Sequence, residues 1–159
     1  MNKILLALLG FTAVAAHAHV TLGETSGYAG TYQKLSFRVG HGCDGKATTG
    51  LTVTLPEGAT HAKPMPKAGW KIDIVSSGAL NEITWKGGAL PDAYFDEFVL
   101  QAKLPAEPGK LYFRIVQQCG KVSVAWDEIA GEGMSKGVKA PAPVLEVLPA
   151  PVGTQVHVH

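Results

Sequence analysis

Every second residue is apolar in eight short segments of the chain, and the residues between them are mainly polar or small. Because successive side chains of a β-strand point to opposite faces, this period of two predicts strands with one buried face. No long stretch follows the 3.6-residue period of an amphipathic helix. The apolar positions of the predicted strands are Leu35, Phe37 and Val39; Leu51, Val53 and Leu55; Trp70, Ile72 and Ile74; Ile83 and Trp85; Phe98, Leu100 and Ala102; Leu111, Phe113 and Ile115; Val122, Val124 and Trp126; and Val144 to Leu148.

Turn-forming sequences separate these segments at near-regular spacing: Pro56-Glu57-Gly58, Lys67-Ala68-Gly69, Gly87-Gly88, Pro105 to Gly109 and Cys119-Gly120. Short strands with such spacing are typical of an antiparallel β-sandwich, so we expect an all-β fold with a single domain. An immunoglobulin-like topology is compatible with this pattern. The tyrosine corner of immunoglobulin domains is missing, however, because Gln117 stands two residues before the second cysteine.

The start of the chain has the organisation of a secretory signal peptide. Lys3 precedes an apolar run from Ile4 to Ala16, and the segment ends in the small-x-small sequence Ala16-His17-Ala18. The run is too short to span a membrane, and no later apolar run is long enough either. Export predicts a periplasmic or secreted protein. The predicted divisions are a signal peptide at 1–18, a β-sandwich domain at 19–149 and a flexible tail at 150–159.

The net charge of the chain limits the classes of binding partner that we expect. The chain has 14 Lys and Arg and 13 Asp and Glu, and Lys3 lies in the predicted signal peptide, so the mature part carries no formal net charge. No basic patch indicates a nucleic acid or an anionic membrane surface as a partner.

Cys43 and Cys119 are the two cysteines of the chain. In an oxidising compartment such a pair is most simply one disulfide, which by the chain-entropy model stabilises a fold by about 4 kcal/mol for a loop of this length. The alternative is a pair of copper(I) thiolates. That alternative requires reduced cysteines, and no C-x-x-C spacing supports it.

Cleavage after Ala18 makes His19 the first residue of the mature chain. An N-terminal histidine offers its α-amine and an imidazole nitrogen, which together close a six-membered chelate ring on one metal ion. Nitrogen ligands of this kind bind copper(II) most tightly among the divalent first-row metals. His19 is therefore a predicted copper(II) ligand. An earlier cut after Ala16 is also acceptable, and its product, beginning His17-Ala18-His19, would bind copper(II) in a square-planar arrangement.

Two further residues are candidate ligands. Glu24 is a nearby carboxylate, and His41 lies in the turn sequence VGHGCDG beside the first cysteine. Taken alone, a histidine in a glycine-flanked turn is typical of a solvated loop, but a disulfide at Cys43 would make the turn rigid, as a metal ligand requires. His61 has no such support, and we expect His157 and His159 in the tail to be exposed to solvent.

Other functional motifs are missing from the sequence. No Ser/His/Asp order, P-loop, H-E-x-x-H motif or dinucleotide fingerprint occurs. The adjacent acids Asp96-Glu97 and Asp127-Glu128 would point to opposite faces of a strand, so neither pair forms a glycosidase-like site. Trp70 and Trp85 are expected in the core. We therefore do not expect an enzyme.

Seven ordered blocks cover nearly all of the chain after residue 18: AHAHVTL, AGTYQKLSFRVGHGCDGKATTGLTVTLPEG, KPMPKAGWK, ITWKGGALPDAYFDEFVLQAKLP, LYFRIVQQC, VSVAWDEI and KAPAPVLEVLP. Together they resemble the YcnI-like copper-binding family of exported β-sandwich domains. The resemblance implies copper handling in the periplasm or at the cell surface, in association with other copper-trafficking proteins.

The resemblance also implies a ligand set. In the best described pattern of the family, a single-histidine brace holds copper(II), with a carboxylate and a tryptophan near the N-terminal histidine. Carried over, the histidine is His19 and the tryptophan is Trp126 in VSVAWDEI. Indole is a poor σ-donor, so the resemblance implies a cation–π contact for Trp126, whereas the alternation alone places it in the core.

The carboxylate departs from the family pattern. Members commonly read H-V-T-x-x-x-x-E, but Ser26 stands at the eighth position here and Glu24 comes two residues earlier. On a strand this offset moves the group by roughly 6 to 7 Å. The histidine of the HGCDG turn is the other candidate, so His41 and Glu24 stay open as alternatives.

We therefore expect an exported protein that binds one copper(II) per chain and acts in periplasmic copper trafficking or homeostasis, with another copper-trafficking protein as partner. Two alternatives belong to different classes. One is a copper-dependent oxidase or monooxygenase, which would use a second histidine beside the first. The other is a β-sandwich that binds a protein partner without a metal.

Overall fold

The structure, a computed structural model, describes residues 19–77, 80–129, 131 and 137–151. Within these ranges the chain forms strands and no helix, so the described part has no helix that could cross a membrane. The predicted signal peptide, His157 and His159 lie outside the described residues. The strands are β1 (Thr21–Leu22), β2 (Ser26–Tyr28), β3 (Tyr32–Val39), β4 (Thr48–Thr54), β5 (Thr60–Pro64), β6 (Lys71–Ser77), β7 (Leu80–Leu90), β8 (Asp96–Lys103), β9 (Gly109–Tyr112), β10 (Arg114–Cys119), β11 (Val122–Trp126) and β12 (Val144–Leu148).

The strands form three sheets around one core. A four-stranded sheet has the order β1-β3-β8-β5, a five-stranded sheet the order β11-β10-β4-β7-β6, and a small sheet the order β2-β12-β9. Pairing is antiparallel throughout, except that β2 and β12 are parallel. The all-β sandwich predicted from the alternation is confirmed.

Aromatic side chains join the two larger sheets. Phe98 of β8 lies edge-on to Trp85 of β7, with ring centroids 5.7 Å apart, and to Trp70 at 4.8 Å. Trp85 is fully buried and Trp70 is partly buried against the core. Both tryptophans therefore have the packing role that the sequence predicts.

One predicted strand is divided between two sheets. Leu111, Phe113 and Ile115 are all buried, as their alternation predicts. The run nevertheless breaks at Phe113, whose backbone N–H donates to the carbonyl of Pro143 rather than to a neighbouring strand of the ladder. The chain thereby passes from β9 in the small sheet to β10 in the five-stranded sheet without exposing an apolar side chain.

Ile74 is the clearest departure from the predicted pattern. It alternates correctly in β6, yet 59% of it is exposed, while Ile83, its partner in β7, is 1% exposed. Strand β6 is the edge of its sheet, and an open cleft of about 390 Å³ separates it from β5. Ile74 lines this cleft, so the residues of β5 across the gap do not cover its side chain. The pattern of apolar residues does not predict the short strands β1, β2 and β5.

Candidate metal centre

His19 is held at the edge of the four-stranded sheet by the residues that follow it. Val20 is buried in the core, with 3% of its surface exposed. Thr21 and Leu22 then pair with β3 at Arg38 and Phe37. The buried valine and the paired strand therefore place His19 at this edge of the sheet.

Trp126 ends β11, the edge strand of the five-stranded sheet. It pairs with Ile115 and is 6% exposed, so it belongs to the core as its alternation predicts. Its ring also contacts the ring of His19, with centroids 5.7 Å apart and planes at 89°. The two predicted roles of Trp126 are therefore compatible, because a core side chain can present part of its ring at the edge where the two sheets meet.

A buried glutamine fixes the indole from inside the core. The Nε1–H of Trp126 donates to Oε1 of Gln117 at 3.1 Å. The amide nitrogen of Gln117 donates in turn to the carbonyl of His41 and to Oγ1 of Thr48, each at 2.8 Å. Since the indole N–H is used in this way, Trp126 can meet an ion only through its ring carbons and π-system.

The backbone of the turn that carries His41 is tightly constrained. The two residues Asp44 and Gly45 have φ values of 49° and 74°, which is the left-handed backbone of a two-residue hairpin turn. Gly42 has no room for a side chain, because a Cβ there would lie 1.6 Å from the carbonyl oxygen of Lys46. Its N–H donates to Oδ1 of Asp92 at 2.8 Å.

The predicted disulfide between Cys43 and Cys119 is confirmed, with Cα atoms 5.8 Å apart. It ties the turn of His41 to the end of β10, next to the strand that carries Trp126. The rigid turn expected from the sequence is therefore present.

His41 and Trp126 line one cleft of about 550 Å³, together with Asp44, Asp92 and Lys139. His41 is partly buried, and its Nδ1 lies 2.5 Å from the carbonyl oxygen of Gly42. A carbonyl oxygen only accepts, so this contact is a hydrogen bond when Nδ1 carries a proton.

Glu24 lines a neighbouring cleft of about 390 Å³ with His19. Both of its carboxylate oxygens accept hydrogen bonds from Ser36: Oε2 from the backbone N–H at 2.7 Å and Oε1 from the hydroxyl at 3.1 Å. Glu24 thus fastens the chain after β1 to β3. This is a structural role that the sequence did not indicate.

The structure brings the sequence-predicted residues together only in pairs. His19 contacts Trp126, His41 shares a cleft with Trp126, and Glu24 shares a cleft with His19. In the described part of the chain no three His, Cys, Asp or Glu side chains are grouped closely enough to hold a metal ion. His61 lies elsewhere, with its ring 6.4 Å from that of Tyr32. The side chains alone do not complete a site, so a tightly held ion would need the α-amine of His19 as well.

Gln117 and Asp92 are the residues that sequence reasoning missed. Gln117 carried a signal, because a polar residue occupies an inward position between Ile115 and Cys119 in an alternating strand. Asp92 carried none, since its contact with Gly42 joins positions 50 residues apart.

The fold and this edge define a β-sandwich protein of the immunoglobulin-like type. A crystal structure of an uncharacterized protein from Nocardia farcinica, described as an immunoglobulin-like fold, matches with a TM-score of 0.69 and 28% sequence identity, over 81% of this chain and 97% of that one. The missing tyrosine corner therefore does not exclude this topology. A non-cellulosomal cohesin from Archaeoglobus fulgidus matches with a TM-score of 0.44 and 7% identity, over 82% of this chain and 90% of that one.

The model of the family described as a domain of unknown function, DUF1775, matches residues 19–81 and 75–147, so the chain belongs to this family. This is the family that the sequence resembles under the name YcnI-like. The comparison with curated proteins finds no match.

Proposed function

We propose that this member of the DUF1775 family is an exported protein that binds one copper(II) per chain and acts in copper trafficking or homeostasis outside the cytoplasm. The ion is held through the amine and imidazole of His19 once cleavage after Ala18 has exposed them. Copper is here the cargo of the protein and not a catalytic cofactor.

The contact between His19 and Trp126 is the observation that carries this proposal. The two residues are 107 positions apart, and they end up ring against ring at the edge where the two large sheets meet. The family resemblance pairs the same two residues at a copper site. The disulfide supports export, since such bonds persist in oxidising compartments.

Trp126 acts on the ion through its ring. Its indole N–H donates a hydrogen bond to Gln117. Trp126 can therefore act on the ion only by a cation–π contact and by excluding water. A cation–π contact contributes about 0.5–2 kcal/mol. The main affinity therefore comes from the nitrogen ligands of His19.

His41 is favoured over Glu24 as the additional ligand. Both oxygens of Glu24 accept hydrogen bonds from Ser36, and binding a metal would break or weaken them. His41 lies on a rigid turn in the same cleft as Trp126. A rigid imidazole loses little conformational freedom when it binds an ion.

The test compares the chain beginning at His19 with the same chain carrying one extra alanine before His19. The extension moves the amine away from the imidazole and opens the chelate ring while leaving every side chain in place. We expect one copper(II) per chain in the first protein and at least tenfold weaker binding in the second, measured by calorimetric titration and electron paramagnetic resonance. Equal affinities would exclude the brace.

Three substitutions in the chain beginning at His19 then identify the remaining ligand. His41→Ala should weaken copper(II) binding and change its resonance spectrum, whereas Glu24→Gln should mainly lower the free energy of unfolding. His61→Ala is the matched control, because His61 lies by Tyr32 in another cleft. A spectrum changed by Glu24→Gln and not by His41→Ala would assign the carboxylate instead.

An oxidase or monooxygenase is the second candidate, favoured by the presence of His41 in the cleft of Trp126. Such an enzyme would consume oxygen with ascorbate and release oxidised products from polysaccharides. Oxygen consumption no greater than that of free copper would leave the binding protein as the function.

A further inference from the structure

Gln117 occupies an unusual place for an amide side chain. It lies in the middle of β10, with 1% of its surface exposed, among the apolar residues of the core. A buried amide is costly unless its hydrogen-bonding groups find partners. The hydrogen-bonding partners of Gln117 therefore explain why a polar residue occupies this position.

The partners of Gln117 determine which way its amide faces. The indole N–H of Trp126 can only donate, so it must meet the amide oxygen. The backbone carbonyl of His41 can only accept, so it must meet the amide nitrogen. Reversing the amide would break both bonds at once.

We propose that Gln117 is the positioning residue of the candidate metal centre, and that it sets the orientation of the Trp126 ring and the position of the His41 turn together. This inference rests on the proposed function. Gln117 does not contact the ion: it acts through Trp126 on one side and through the backbone of His41 on the other. Without it, the ring that meets His19 and the carbonyl of His41 would no longer share a hydrogen-bonding partner.

Thr48 provides a matched control within the same buried network. Its hydroxyl accepts the second hydrogen bond of the Gln117 amide nitrogen and is fully buried, whereas the hydrogen bonds to the indole of Trp126 and to the carbonyl of His41 are both made by Gln117 itself. Thr48→Val removes this hydrogen bond at nearly constant volume. A purely structural role for Gln117 predicts that Gln117→Met and Thr48→Val differ only in how far they lower stability.

The experiment measures copper(II) affinity and the electron paramagnetic resonance spectrum of the chain beginning at His19 and of both variants. We expect Gln117→Met to weaken binding about tenfold and to change the spectrum. Thr48→Val should stay within about twofold of the unsubstituted protein and keep its spectrum. Gln117→Met with the affinity and spectrum of Thr48→Val would overturn the inference.

A measurement without metal keeps the inference testable on its own. In the metal-free protein, the ring of Trp126 should shift the proton resonances of the His19 ring, and the indole N–H should exchange slowly with solvent. Gln117→Met should abolish both effects, whereas Thr48→Val should retain them. Retention of both effects in Gln117→Met would show that the ring is positioned without the amide.

A second variant covers the case in which Gln117→Met does not fold. Gln117→Glu keeps an acceptor for the indole N–H of Trp126 but, when ionised, has no donor for the carbonyl of His41. We expect it to retain the His19 ring shifts and to move the resonances of His41. Absence of copper binding in the unsubstituted protein would refute the proposed function, while these metal-free shifts would still decide the role of Gln117.

Discussion

At the scale of single residues, the candidate site includes positions that hold the backbone around the predicted ligands. Gly42 is needed because the carbonyl of Lys46 occupies the space of a side chain. Glu24 is needed because it accepts two hydrogen bonds from Ser36. Gly42 and Glu24 thus fix the backbone next to the predicted ligands, whatever their part in binding an ion.

Gly42→Ala tests this at the turn. The new methyl group would clash with the carbonyl of Lys46, so the His41 turn must shift, and we expect a loss of about 1–3 kcal/mol in the free energy of unfolding, measured by urea denaturation. Gly131→Ala is the control, because nothing lies within 4 Å of a Cβ there. Equal stabilities of the two variants would show that the turn adapts to the methyl group.

At the scale of elements, the strands that were predicted are those whose environment follows from the strand itself. In β3, β4 and β8 both neighbours are present and the inward residues are buried, so the period of two is sufficient. Strands β1, β2 and β5 are too short or too irregular to carry that period. Ile74 could not be placed from the sequence, because its exposure depends on where the facing sheet ends.

Two paired isoleucines test whether the inward face of edge strand β6 is uncovered. Ile74 and Ile83 are opposite each other in β6 and β7. Ile83→Ala should lower the free energy of unfolding by about 2–5 kcal/mol, since it leaves a cavity in the core. Ile74→Ala should cost about 1 kcal/mol or less, since its side chain is mainly exposed. Similar losses in urea denaturation would mean that β6 is covered in solution.

The site was predictable in part. The contact between His19 and Trp126 agrees with the pairing that the family resemblance implies, while copper(II) binding by His19 stays a prediction from the cleavage sequence. The hydrogen bonds of Gln117 to Trp126 and His41 could not be predicted, because they join residues from separate strands and a turn. Sequence spacing does not show which side chains meet across a sandwich.

At the scale of the whole molecule, His19 and Trp126 bring together one edge of each of the two larger sheets. His19 precedes the edge strand of one sheet, and Trp126 ends the edge strand of the other. An ion bound between them would link the two sheets where no hydrogen-bond ladder does. Copper binding should therefore stabilise the fold and not merely occupy its surface.

Thermal unfolding tests this coupling. Copper(II) at a hundred times its Kd should stabilise the chain beginning at His19 by about 2.7 kcal/mol and raise its Tm. The effect should fade as the pH falls, because the ligand nitrogens must be deprotonated to bind. The alanine-extended chain is the control, and an equal rise in its Tm would place the ion elsewhere.

The burial of Val20 bears on the order in which the chain is cleaved and this edge is folded. A protease needs an extended stretch of chain around the bond that it cuts, whereas Val20 is packed in the core and Thr21–Leu22 are paired with β3. If the chain is cut after Ala18 as proposed, the cut would then precede docking of this edge. Under the proposed function, the same cut creates the free amine of His19, so the copper(II) chelate forms only once the precursor has been cleaved.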